Sequence, residues 1–392
     1  MKILVVNAGS SSLKFKMFEM PSEEVLISGV FERIGIEGSF YTVKVNGDKE
    51  EKHVELKDHK EAFEILVSEL VNNNLVESLD EVEAIGHRVV QGGAYFDKSV
   101  IASADAKAKI EELNSLAPLH NPAALTGIRA AEEVFPNAKQ TVVFDTAFHQ
   151  TMPEENYLYA LPYEMCVENK VRRYGAHGTS HRYVSEKMNE ILGRDDTKLI
   201  TCHIGNGASI SAVLNGKCLN TSMGLTPNAG LIMGTRCGDI DATILPYIME
   251  KLNISPKEMD NIMNKQSGLL GVSGVSSDSR DIEEGIKEGN KRCELAQKMY
   301  VRRIVDYIAK YYVELGGCDG IVFTAGVGEN SVPVRRQVMK ELEVLGIYLD
   351  EEKNNIRGSL QRISTNESKV PVYVIPTDEE VMIARDTFAL AK

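Results

Sequence analysis

The sequence predicts an α/β protein in which one strand-and-turn unit occurs twice. Three observations carry this. An apolar run at residues 3–6 ends in the polar turn NAGSSS, a second apolar run after residue 198 ends in GNGAS, and helical apolar spacing separates the strands in both halves. At 392 residues the chain also exceeds one ordinary core, so two domains with a cleft between them are expected.

Each element follows from its local pattern. The run ILVV, the small polar turn and the alternating LKFKMFE read as strand, turn and strand. VLISGVFERI and FYTVKV continue as strands, and KEAFEILVSELVNN spaces its apolar residues by three and four as an amphipathic helix does. EAIGHRVVQGG reads as a strand, AKAKIEELNSLA as a helix, APLHNP as a loop broken by Pro118 and Pro122, PAALTGIRAAEEVF as a helix, and QTVVFDTAFHQ as a strand running into a polar end. The second half opens with LITCHIGNGASISAVLNGKCLNTSM, in which Asn215-Gly216 supplies a second tight turn. Helices dominate from DATILPYIMEKL to RCELAQKMYVRRIVDYIAKYYVEL. The strand and Gly turn DGIVFTAGVGEN, the helix VPVRRQVMKELEVL, the strand VPVYVIPTDEE and a closing helix from about Val381 complete the chain.

Composition narrows the function. Hydrophobic residues at 43% and charged residues at 26% are the balance of a globular protein, and a formal charge of −13 without a Lys/Arg run argues against nucleic-acid binding. MKILVV reads as a strand and not as a signal peptide, and no segment has the roughly 18 apolar residues of a membrane span. Six scattered cysteines without a CxxC pair read as reduced thiols, so a cytoplasmic location without structural zinc is expected.

Chemistry concentrates at strand ends. Asn7, Gly9, Ser10, Ser12 and Lys14 form a turn that suits phosphate oxygens, although the P-loop spacing is missing. Gly205, Asn206, Gly207, Ala208 and Ser209 repeat the device, and Gly326, Gly328, Glu329 and Asn330 form a third turn. Three such turns at the carboxyl ends of strands could cradle one polyphosphate, which predicts a nucleotide site. Arg88 and Arg236 lie at similar positions and could fork onto a carboxylate or a phosphoryl oxygen. Asp145 ends the strand TVVF, where it can hold a metal, a base or an arginine. Asp278 and Arg280 share a loop poor in apolar anchors, and Glu379 or its neighbour Glu380 could reach a hard divalent cation. His177, between Gly175 and Gly178, could donate to a phosphoryl oxygen, whereas His120, His181 and His203 could equally be structural.

The ordered segments NAGSSSLKF, GHRVVQGG, APLHNP, VFDTAFHQTMP, RRYGAHGTSHRYV, CHIGNGAS, TSMGLTP, MGTRCGD, SSDSRDI, FTAGVGENS and IPTDEEVMIARDT resemble the acetate kinase family from end to end. That resemblance implies two duplicated actin-like, ribonuclease H-like α/β domains enclosing a nucleotide cleft. The first would comprise residues 1–146 plus 381–392 on the acyl and metal side, and the second residues 147–380 on the nucleotide side, with a homodimer interface. It implies reversible transfer from ATP to acetate, giving ADP and acetyl phosphate, with Mg²⁺ or Mn²⁺ held by Asn7 and Glu379. Arg88, Arg236, Asp145 and His177 would form the catalytic centre. Ser10, Ser12, Lys14, His203, Gly205, Asn206, Gly207, Asp278, Ser279, Arg280, Gly326, Val327, Gly328, Glu329 and Asn330 would hold the nucleotide. Val90, Leu119, His120 and Pro227 would surround the acid. The family commonly has Phe, His and Ser where this chain has Ala176, Gln91 and Cys237. The first departure leads us to expect a better acceptance of propionate than is usual in the family; the other two, tuning.

Overall fold

The computed structural model describes residues 1–118 and 120–392, which fall into two compact units, Met1–Phe148 with Asp378–Lys392, and His149–Thr377.

The first unit is built on an eight-stranded sheet: β1 (Lys2–Ala8), β2 (Ser12–Glu19), β3 (Glu24–Glu32), β4 (Phe40–Val45), β5 (Asp48–His53), β6 (Val82–Val89), β7 (Val100–Ile101) and β8 (Lys139–Phe144), in the order β5-β4-β3-β2-β1-β6-β8-β7. β1 is central, antiparallel to β2 and parallel to β6, which is why Ile3–Val6 is an uninterrupted apolar run buried on both faces. β2 alternates as expected, burying Leu13, Phe15 and Met17 and exposing Lys14. Leu4 and Val6 join Phe63, Leu66, Ala130 and Ala131 of the helices His59–Asn72 and Asn121–Val134 in one core. The closing helix Glu379–Ala391 packs on β1, β6 and β8, where Thr387 meets Thr141 at 2.7 Å.

The second unit has six strands: β9 (Lys198–Ile204), β10 (Ala208–Leu214), β11 (Lys217–Thr221), β12 (Gly320–Thr324), β13 (Gln361–Arg362) and β14 (Val372–Val374), in the order β11-β10-β9-β12-β14-β13. This reproduces β3-β2-β1-β6-β8-β7 strand for strand. In each unit an antiparallel triplet is followed by two parallel strands and a short antiparallel edge strand. The duplication read from two turns therefore extends through the sheet topology, with β4 and β5 added to the first unit.

The short edge strands β7 and β13 and the short helices Glu154–Tyr157, Tyr163–Glu168 and Glu351–Asn354 depart from the sequence reading, as do three further elements. Helix Gly178–Leu192 was not anticipated, nor was the charged edge strand β5, and Ala325–Asn330 closes into a short helix where an open Gly turn is predicted. Among the described residues no helix is long and apolar enough to cross a membrane.

Candidate active site

In the first unit the predicted polar residues gather at the carboxyl ends of the parallel strands, where α/β proteins bind ligands. Asn7 is the penultimate residue of β1 and pairs in register with Lys14; Arg88 lies near the end of β6, and Asp145 follows β8. The Arg88 guanidinium forks onto Asp145, with Nε donating to Oδ1 at 2.9 Å and Nη2 to Oδ2 at 2.7 Å. Asp145 is thus paired with an arginine, and its charge pushes the Arg88 pKa further up. Glu379, the first residue of the closing helix, lies 3.7 Å from Arg88 Nη2, yet its buried Oε2 accepts no hydrogen bond from the described residues. Burial, reinforced by the Asp145 and Glu380 charges and opposed by Arg88, raises its pKa.

Glu380 differs from its neighbour. It is ion-paired with Lys14 and lies 3.7 Å from Lys16 Nζ, so its pKa is lowered despite burial. The oxygen available to a hard cation is thus on Glu379. No cluster of three or more His, Cys, Asp or Glu suited to a metal occurs among the described residues, so any Mg²⁺ here would rely on few protein ligands, water and substrate oxygens. An orphaned carboxylate oxygen fits that mode of binding.

The other residues predicted on this side are dispersed. Ser10 is exposed and Ser12 begins β2; Val90 is half-buried, and His120 is the exposed N-cap of helix Asn121–Val134. Leu119 lies outside the described residues. Gln91 is held by Asn121, whose Oδ1 accepts from Gln91 N at 3.1 Å and whose Nδ2 donates to Gln91 O at 2.9 Å.

The second unit carries a cavity of about 650 Å³, large enough for a nucleotide. It brings together the three segments singled out in the sequence: Gly205 and Asn206; Asp278, Ser279 and Arg280; and Gly326, Val327 and Asn330. Gly234 must be glycine for this wall to form, because a Cβ there would fall 1.8 Å from Asn206 Oδ1 and 2.9 Å from Ser277 O. Asp278 caps helix Ser279–Lys287 and binds the exposed Arg280 side chain.

Four contacts predicted in this unit do not line the cavity: His203 and Gly207, which belong to the cluster described below, and Gly328 and Glu329. Glu329 turns inward, its Oε1 accepting from Ala325 N at 2.7 Å and Thr377 N at 3.1 Å, which is what closes the short helix. Gly328 is buried, its carbonyl accepting from Arg335 Nη1. Both support the wall without lining it. Tyr300, Glu283 and Arg357 line the cavity without having been foreseen, since no motif surrounds them in the sequence.

His177, Gly207 and Arg236 form a second cluster. A Cβ built on Gly207 would lie 3.3 Å from Arg236 Nη1 and 3.7 Å from His177 Nε2, which places both side chains against this turn. His177 adopts a left-handed conformation at φ 58°, which an L-residue holds only when its surroundings impose it. Its ring stacks on His203 with centroids 4.0 Å apart, and His203 Nδ1 lies 2.8 Å from Ser180 Oγ. Among the described residues the Arg236 guanidinium has as hydrogen-bond partners the Pro227 carbonyl at 3.2 Å and Met233 Sδ at 3.7 Å. Among the described residues it has no carboxylate partner, and burial lowers its pKa. Ala176 is buried in the core of this unit beside residues such as Ile200 and Ala208, and its carbonyl lies 2.9 Å from His149 Nε2. Cys237 Sγ donates to Asn228 Oδ1 at 3.1 Å.

Comparison with known proteins gives this arrangement its context. The model of the acetokinase family matches residues 2–385. The chain belongs to the acetokinase family. Within this family, an acetate kinase of Treponema denticola is 54% identical over 397 aligned residues, covering all of both chains. The crystal structure of Porphyromonas gingivalis acetate kinase superposes with a TM-score of 0.95 at 50% identity over all of both chains, and a propionate kinase from Francisella tularensis with 0.94 at 43% identity over 99% of each. The acetokinase fold is thus this chain's fold in both units.

Proposed function

We propose that this chain catalyses the reversible, Mg²⁺-dependent transfer of the γ-phosphoryl group of ATP to acetate, giving acetyl phosphate and ADP. The observation that carries the reading is Arg236, a half-buried guanidinium without a carboxylate partner among the described residues, beside the Gly205–Gly207 turn and His177. A buried cation left unpaired is costly unless an anion completes it. A transferring phosphoryl group is such an anion.

In this reading an acetate oxygen attacks the γ-phosphorus in line as the bond to the bridging oxygen of ADP breaks. The carboxylate is already ionised at neutral pH, so no base or covalent enzyme intermediate is required. Arg88, kept in one orientation by Asp145, binds the carboxylate, while Arg236 neutralises charge on the moving group and His177 donates a hydrogen bond to it. Bound at Asn7 and Glu379, the cation would offset charge on the β- and γ-oxygens. The cavity lined by Gly205, Asp278 and Gly326 takes the nucleotide.

A hydroxylamine trap across acetate, propionate and butyrate tests the reaction and its acceptor together. Acetate is expected to give the highest kcat/KM. Absence of hydroxamate with every acid would overturn the transfer, and a preference for propionate would assign the acceptor to the reading that Ala176 and the Francisella relative favour. Glu379→Gln should raise the Mg²⁺ concentration for half-maximal activity by about tenfold or more, as loss of a metal-site group does. Glu380→Gln should not, and an equal shift in both variants would refute the assignment.

A homodimer is also proposed. Helix Ile244–Leu252 has no buried residue although it carries Ile244, Tyr247 and Leu252, with Tyr247 60% and Leu252 59% exposed. Such an apolar stripe suits a second copy. Light scattering should find wild type at twice the chain mass and Tyr247→Asp/Leu252→Asp at the chain mass; a dimeric double variant would remove this helix from the interface.

A further inference from the structure

His177 stands at one end of a buried chain of side chains. Its Nδ1 lies 2.9 Å from Ser209 Oγ, Ser209 Oγ lies 2.7 Å from His181 Nε2, and His181 Nδ1 lies 2.7 Å from Thr201 Oγ1. Ser209, His181 and Thr201 are all fully buried. Fully buried, with these two ring nitrogens as its hydrogen-bond partners among the described residues, the Ser209 hydroxyl satisfies its one proton only by donating to one ring, and it then accepts from the other. The whole chain therefore has only two possible directions.

The buried end decides between them. Thr201 Oγ1 has no hydrogen-bond partner other than His181 among the described residues. If it accepted from His181, its own proton would be buried without an acceptor, which is the costly arrangement. Thr201 therefore donates to Nδ1, which leaves the His181 proton on Nε2. That polarity needs a neutral His181, and burial, with the neighbouring His149 and His203, holds its pKa well below the ordinary value. Ser209 then accepts from His181 and donates its proton to His177 Nδ1. An imidazole that accepts at Nδ1 carries its proton on Nε2.

We infer that Thr201, His181 and Ser209 are positioning residues whose ordered hydroxyl and imidazole protons fix His177 as the Nε2–H tautomer. Nε2 is the nitrogen near the Gly207 backbone and the Arg236 guanidinium. With the chain reversed, neutral His177 would present a lone pair toward phosphoryl oxygens. The consequence for catalysis rests on the proposed role of His177 as a donor to the phosphoryl group, but the tautomer itself does not.

The test is a long-range proton–nitrogen correlation spectrum of the full-length protein labelled at histidine, with the His177 signals assigned by their loss in His177→Gln. Wild type should show an unprotonated Nδ1 and a protonated Nε2. Ser209→Ala and Thr201→Val should give mixed tautomers and a kcat lower by about 10- to 100-fold, with unchanged KM for ATP. Ser209→Thr, which keeps the hydroxyl, should restore both readouts. Thr201→Val probes the same chain from its far end if Ser209→Ala does not fold. A wild-type His177 protonated on Nδ1, or a pure Nε2–H tautomer surviving in both variants, overturns the inference. Full activity of His177→Gln would instead overturn the phosphoryl-donor role, whichever tautomer is observed.

Discussion

Arg236→Ala is expected to lower kcat for hydroxamate formation by about 10³-fold, the scale associated with removing a charge stabiliser from a transferring phosphoryl group. Its melting temperature should be unchanged or higher. The two expectations come from the same feature. The guanidinium is half-buried with one carbonyl and one thioether as partners among the described residues, so the folded chain bears part of its desolvation with little return. Alanine relieves that cost in the free protein and forfeits the interaction with the anion. A structural arginine would behave the other way, as Arg335 should: it is fully buried but donates to Asn354 Oδ1 and to the carbonyls of Gly328, Asn354 and Ile356. Arg236→Lys keeps the charge but not the fork, so it should recover only part of the rate. A large fall in melting temperature with kcat retained would refute this role.

The parts of the fold that could be read from sequence are those whose burial is apolar. The continuous run of β1, the alternation of β2 and the echo of both after residue 198 led to the duplicated unit, and the sheet order bears this out. Helix Gly178–Leu192 escaped because its buried face is largely polar: Thr179, Ser180, His181, Ser185 and Asn189 face inward with only Val184 and Met188 as large apolar residues. The same polar face builds the histidine chain, so the missing periodicity was itself a mark of the site. β5 escaped for the opposite reason, since DKEEKH is an exposed edge strand with no apolar alternation to detect.

For the site, residue type was more informative than pairing. Turn composition located Gly205, Asn206 and Gly326 at one cavity, but nothing in FTAGVGEN showed that Glu329 would fold back onto Ala325 and Thr377. Nor does the sequence distinguish Glu379 from Glu380. That distinction arises from Lys14 and Lys16, whose ammonium groups reach Glu380 and leave a Glu379 oxygen without a hydrogen bond from the described residues.

The Arg88–Asp145 fork leads to the second large effect. Asp145→Ala should destabilise the protein by about 3 kcal/mol, the lower end of what breaking a buried ion pair costs, because the Asp145 side chain is only 2% exposed while Arg88 remains 23% exposed and partly hydrated. The fall in denaturation midpoint should shrink when Arg88 is also replaced, since Arg88→Ala/Asp145→Ala leaves no stranded charge. An additive double variant would show that the fork contributes no coupling. Activity separates this role from metal binding. If Asp145 acts through Arg88, Asp145→Ala raises KM for acetate and lowers kcat while the Mg²⁺ requirement stays at the wild-type value. Glu379→Gln should do the reverse, moving the Mg²⁺ requirement first. Should Asp145→Ala displace the Mg²⁺ titration as far as Glu379→Gln does, Asp145 would belong to the metal, and the fork seen with Arg88 would describe only the protein without its cation.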